Sequence, residues 1–189
     1  MTTEDRVKAV AEFGFTQRQA RFLVTVMRHA GVCVPRQYAG FAGIAYGHNV
    51  TKFFARLVQR GYATGSDCLH NRAALYHIHH QALYRAIGQP HSRYRRPTSA
   101  RQAIDRVMLL DAVITSPEIV WLGTVEEKVA FFGMMAPTLA LERLPDIGGG
   151  KPSSGRGRMF PDGLPIGVEP NGRVVFLYLR RSDSASNRP

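Results

Sequence analysis

Between Gly47 and Tyr62 the chain reads GHNVTKFFARLVQRGY, and the spacing of its apolar residues leaves little choice in how it can pack. Val50, Phe53, Phe54, Leu57 and Val58 recur at i, i+3, i+4, i+7 and i+8, so a helix puts all five on one stripe to be buried against neighbouring helices. The opposite face carries His48, Asn49, Thr51, Lys52, Ala55, Arg56 and Gln59, side chains that are short, polar or basic and crowd the N-terminal half. Lys52, Arg56 and Arg60 carry its charge, all of it positive. An ordinary amphipathic surface helix satisfies the same pattern, so the flanking sequence has to decide.

Upstream, Asp5 to Phe13 is a short amphipathic segment followed by Gly14. Thr16 is placed to cap a longer helix, TQRQARFLVTVMRHAG, whose inward stripe is Ala20, Leu23, Val24 and Met27 and whose end is Gly31. Val32 to Val34 is a brief extended connector. Pro35 suits the first residue of a second helix, PRQYAGFAGI, that buries Tyr38, Phe41 and Ile44. The AYGH turn then delivers the chain to the 47–62 helix, giving three helices in the order and at the short spacings of a helix-turn-helix. Past Gly61 the period changes. Tyr62 to Thr64 is short and extended, Gly65 to Arg72 is a polar loop, and Ala73 to His79 alternates with Leu75, His77 and His79 on one side. This is the pattern of a β-hairpin wing, with Arg72 at its tip beside His70 and Asn71; a helix from His80 to Ile87 closes the unit at Gly88. Residues 1–88 are therefore expected to form a winged helix-turn-helix, with 47–62 as the recognition helix that enters the major groove.

Charge supports a polyanionic partner for that half. The formal net charge is +11, and residues 1–100 hold fourteen Lys and Arg against four Asp and Glu, whereas residues 101–189 hold eleven against ten. A basic domain joined to a near-neutral one suggests that the first half meets nucleic acid and the second does something else.

Gln89 to Thr98, QPHSRYRRPT, has two prolines and three arginines with little apolar content and is expected to be a linker, either a basic strap along DNA or a solvated connector. From Ser99 a strong helix resumes, with Ile104, Val107, Met108, Asp111 and Ala112 along one face and Pro117 as its stop. IVWL within 118–123 is strand-like, and Thr124 caps a helix through Phe132 with Glu126 and Glu127 in its first turn. Residues 134–147 are ambiguous, and GGGKPSSGRGR at 148–158 is loop by composition. Two extended runs, 159–168 and 173–180, flank Glu169-Pro170-Asn171-Gly172, where Asn-Gly between apolar strands signals a hairpin. The expected architecture is α+β: a winged helix-turn-helix (1–88), a basic linker (89–98), a small α+β domain (99–180) ending in a β-hairpin, and a disordered tail (181–189).

Chemistry is sparse. Pro161-Asp162-Gly163 before a hairpin suggests a metal-dependent nuclease core, but the following strand, VVFLYLRR, has neither the acid nor the lysine such a site needs, and Glu169 sits beside the turn. Cys68, His70, His77, His79 and His80 do not resolve into four convergent metal ligands, and Cys33 and Cys68 share no CxxC spacing. Trp121, Phe131 and Phe132 read as core. GGGK at 148–151 lacks the strand and helix that would make it a phosphate cradle. No catalytic residue, metal or cofactor is expected. A run of eighteen apolar residues and a basic-then-apolar leader are both missing, so no membrane is expected and the cytoplasm is the expected location.

GFTQRQARFLVTVMRHAG, RQYAGFAGIAYGHNVTKFFARLVQRGYAT and ALYHI resemble the winged-helix half of the replication-relaxation family of plasmid and integrative-element proteins, and MFPDGLPIGVEPNGRVVFLYL resembles its C-terminal sheet. The resemblance implies a DNA-binding protein of a mobile element, acting in plasmid replication, conjugative transfer or its regulation. The expected partner is double-stranded DNA, with a homodimer formed through 99–180. The expected contacts are His48, Asn49, Thr51, Lys52 and Arg56, Arg36 and Gln37 on the preceding helix, Arg72 on the wing, and Arg93, Arg95 and Arg96 in the linker. The alternatives are a nuclease on the C-terminal sheet and a protein-interaction module that uses the winged helix.

Overall fold

The computed structural model describes residues 1–67, 74–135 and 165–179, which form mixed α+β structure with small antiparallel sheets. The chain divides into two compact units, Met1–Ile119 and Val120–Pro189. That division falls beyond the expected linker, because the helix after it belongs to the first unit.

In the first unit α1 (Thr3–Ala11) and α2 (Gln17–His29) each begin on a threonine with a reciprocal capping box, Thr2 with Asp5 and Thr16 with Gln19. Each cap satisfies amide protons that the first helical turn leaves without partners. The expected stripe of α2 is buried, and Phe22 and Val26 join it. β1 (Val32–Cys33) follows, then α3 (Pro35–Ala42) and α4 (His48–Gln59). β2 (Ala63–Asp67) and β3 (Ala74–Ile78) form an antiparallel hairpin whose other edge is β1, in the order β1-β3-β2. The connector at 32–34 is thus a sheet edge, and β2 takes in Gly65–Asp67, which the sequence assigned to a loop. Backbone pairing with Leu75 and Tyr76 overrides the weak strand propensity of Gly-Ser-Asp.

Aromatic rings fix α4 in place. Tyr38 of α3 lies 4.5 Å from Phe53, Phe54 lies 5.1 Å from Phe53, and Tyr76 of β3 lies 4.5 Å from Phe54. Phe22 of α2 touches Tyr38, Phe41 and Phe53. Val50, Phe53, Phe54 and Leu57 are at most 2% exposed, and each contributes roughly 1.5–3 kcal/mol by leaving water. Val58, the fifth member of the expected stripe, is 43% exposed. It lies at the helix end, where the chain turns away towards β2.

The other side of the sheet is covered by residues expected to be a linker. After α5 (Gln81–Ala86) the chain makes a 3-10 turn at Arg93–Arg95 that buries Tyr94. The Tyr94 carbonyl meets His77 Nε2 at 2.8 Å, and Arg95 donates to the carbonyls of His79 and Pro90. Gly31, at φ +71°, makes this approach possible: a Cβ there would lie 2.6 Å from both Cβ and O of Tyr94. One aromatic in an otherwise polar, proline-bearing run is enough to anchor it.

α6 (Ala100–Thr115) then packs on the same unit through Ala103, Val107, Leu110 and Val113. The expected stripe is rotated, since Ile104 and Met108 are 54% and 51% exposed and Asp111 is drawn to polar partners on α3.

The second unit holds β4 (Val120–Leu122), α7 (Val125–Met135), β5 (Ile166–Val168) and β6 (Val174–Phe176), with sheet order β4-β5-β6, all antiparallel. Thr124 accepts from the Glu127 amide, and the Glu127 carboxylate accepts from the amides of Gly123 and Thr124, so α7 starts where expected and runs past Phe132. The Asn171-Gly172 hairpin is present: Gly172 takes φ +83° and donates to the Glu169 carbonyl, while Arg173 grips the Glu169 carboxylate at 2.6 and 2.9 Å. Asp162, the glycine-rich loop and the C-terminal tail lie outside the described residues.

Candidate nucleic-acid interface

The polar face of α4 is open. His48, Asn49, Thr51, Lys52, Ala55 and Gln59 are all exposed, while the opposite stripe is locked by the aromatic contacts above. Helix geometry alone sets this division, because the two faces are separated by half a turn. At its start, Gly47 provides no side chain to cap α4, so the helix N-terminus presents amide protons and the positive end of the helix dipole outward beside His48 and Asn49.

Its three cations are held differently. Lys52 is exposed with no ion pair among the described residues. Arg56 is half-buried: its Nη2 donates to Gln19 Oε1 at 2.7 Å and its guanidinium lies 5.4 Å from the Phe15 ring centroid. Arg60 donates from Nη1 to the Phe13 carbonyl at 2.8 Å. Those partners are an amide, a carbonyl and a ring rather than acids, so the geometry of both arginines is spent on the α1–α2 corner without an ion pair there. The sequence treated Lys52 and Arg56 as equivalent contacts; the structure leaves Lys52 projecting and ties Arg56 back.

Arg36 and Gln37, expected on DNA, are engaged within the unit. Arg36 makes a two-pronged pair with Asp111 of α6, at 2.6 and 3.3 Å. Gln37 is only 3% exposed; its Nε2 donates to the Val107 carbonyl at 2.8 Å and to Asp111 Oδ1 at 2.9 Å, and its Oε1 accepts from the Val34 amide at 3.0 Å. A side chain that caps its own helix and ties down another is a fold determinant. The cap on Val34 is a local contact three residues apart, but the ties to Val107 and Asp111 span 70 and 74 residues of sequence, and no local signal carries them.

Arg93 and Arg96 are exposed, whereas Arg95 is half-buried against backbone carbonyls. The Arg93 and Arg106 guanidiniums lie 4.9 and 5.2 Å from the Tyr94 ring centroid. Arg72, with Cys68, His70 and Asn71, lies outside the described residues. Among those described, no group of three His, Cys, Asp or Glu could hold a metal ion, and Cys33 is a buried free thiol whose pKa burial pushes up. Burial, then the neighbouring His77, His80 and Arg95 charges, pull the His79 pKa below the usual histidine range.

The unit bearing this face is strongly basic: residues 1–119 hold sixteen Lys and Arg against seven Asp and Glu. Among the described residues no helix is long and apolar enough to cross a membrane. No protein-family model, curated protein or solved structure matches the chain.

Proposed function

We propose that the first unit is a winged helix-turn-helix that binds double-stranded DNA through α4, in a non-enzymatic protein of a mobile genetic element that serves as a regulator or as a replication or transfer accessory. The observation that carries this is the open polar face of α4, held rigid by Phe53 and Phe54 in a unit of high positive charge. The order α2, β1, α3, α4, β2, β3, with α3 leading into α4 and the β2–β3 hairpin following it, matches what such a module requires. Lys52 reaches phosphate or guanine, Asn49 and Thr51 contact bases or backbone, and the uncapped start of α4 favours a phosphate. Arg56 and Arg60 add field rather than direct contacts.

Titrating the full chain with duplex DNA at low salt tests this. Binding should weaken steeply as salt rises, and Lys52→Ala should weaken it for every sequence while reducing the salt slope by about one unit. Absence of binding at low salt would sink the assignment. Selection of bound duplexes from a random pool would then define the target.

A further inference from the structure

We propose that the exposed face of α6 docks a second copy of this chain, the two α6 helices lying antiparallel about a twofold axis that passes between Ile104 and Met108. This inference does not rest on DNA binding. Arg101, Ile104, Met108, Asp111 and Thr115 follow one another at intervals of three, four, three and four residues, the spacing of a helix-pairing seam. This seam lies away from Ala103, Val107, Leu110 and Val113, which bind α6 to its own unit, and its two large apolar residues are more than half exposed.

Charge selects the occupant and the direction. In an antiparallel pair the twofold that sets Ile104 against the second copy's Met108 also sets Arg101 against its Asp111, because both pairs are centred on the same point of the helix. Arg101 is exposed with no ion pair among the described residues, and the Asp111 side chain, although held by Arg36 and Gln37, remains 35% exposed. A parallel pair would instead set Arg101 against Arg101 and Asp111 against Asp111. Asp111 already carries Arg36, so the discrimination lies with Arg101, which meets an acid in the antiparallel orientation and another arginine in the parallel one. Two apolar layers bury less than a standard interface, so the association is weak and concentration-dependent.

Sedimentation velocity of the full chain over a wide concentration series should show a monomer–dimer equilibrium. Ile104→Glu and Met108→Glu should each leave a monomer with unchanged circular dichroism and melting, since neither side chain belongs to the core. Arg101→Glu should weaken the dimer at least several-fold. Mixing Ile104→Cys protein with Met108→Cys protein under mild oxidation should yield a cross-linked heterodimer above the background of unsubstituted chain, in excess of that from either variant alone. A chain that stays monomeric at every concentration, as it would if the second unit or another protein covers this face, overturns the proposal. So does a dimer that survives both glutamate substitutions, or cross-linking strongest for Ile104→Cys with itself.

Discussion

Replacing Gly31 with alanine tests the least expected feature of the first unit, the anchoring of the Tyr94 turn across its sheet. The new Cβ would sit 2.6 Å from Tyr94 Cβ, 2.6 Å from its carbonyl oxygen and 3.2 Å from its carbonyl carbon, distances that require movement, and two of the three obstacles are backbone. Holding alanine at φ +71° costs about 1–2 kcal/mol in the left-handed region. Accommodating the clash in a packed core adds roughly 1–3 kcal/mol. Displacing the turn to relieve it sacrifices the 2.8 Å contact between His77 and the Tyr94 carbonyl, itself worth about 1 kcal/mol. The expected loss is about 2–5 kcal/mol, which lowers the Tm by roughly 8–20 °C at about 4 °C per kcal/mol for a unit of this size. Far-ultraviolet circular dichroism during heating reads it, because most of the helix among the described residues lies in 1–119. Trp121, the sole tryptophan, belongs to the second unit and supplies an internal control through its fluorescence. A Tm within about 2 °C of the parent would show that residues 89–98 are a loose connector after all.

Arg56→Ala should destabilise the first unit by about 1–2 kcal/mol, through the lost Gln19 hydrogen bond and Phe15 stacking, and should alter the DNA salt slope less than Lys52→Ala does. Equal slope changes in the two variants would refute the division between them. Gln37→Leu keeps the volume but strands the Val34 amide and removes both α6 bonds; urea denaturation should show a loss of about 2–3 kcal/mol, and an unchanged midpoint would contradict the buried network. His79 binds its proton less readily when folded than when unfolded, so the stability it contributes is complete above the unfolded pKa of 6.5 and is lost as pH falls through its lower folded value. His79→Gln should flatten the fall in Tm below pH 6.5, and an identical acid profile would exclude it as the source.

The helix starts at Thr16 and Thr124, the inward stripe of α2, four of the five inward residues of α4 and the Asn171-Gly172 turn were legible because each depends on residues within a few positions of one another. Caps, helical periodicity and turn chemistry are local, and the chain writes them directly. Contacts between distant segments are not written that way. Tyr94 looked like one aromatic in a polar connector, yet it closes the sheet because Gly31 leaves room for it. Gln37 and Arg36 looked like free polar groups beside α4, yet Asp111 claims both. Lys52 and Arg56 share one helical face, but only Arg56 reaches Gln19 and Phe15. By itself the sequence determined which helices and turns form and which face of α4 stays polar, since period and capping act over a single turn. Tertiary structure decided which polar side chains on those elements remain available to a partner, because that depends on which acids, carbonyls and rings the fold brings within 3 Å or so of them.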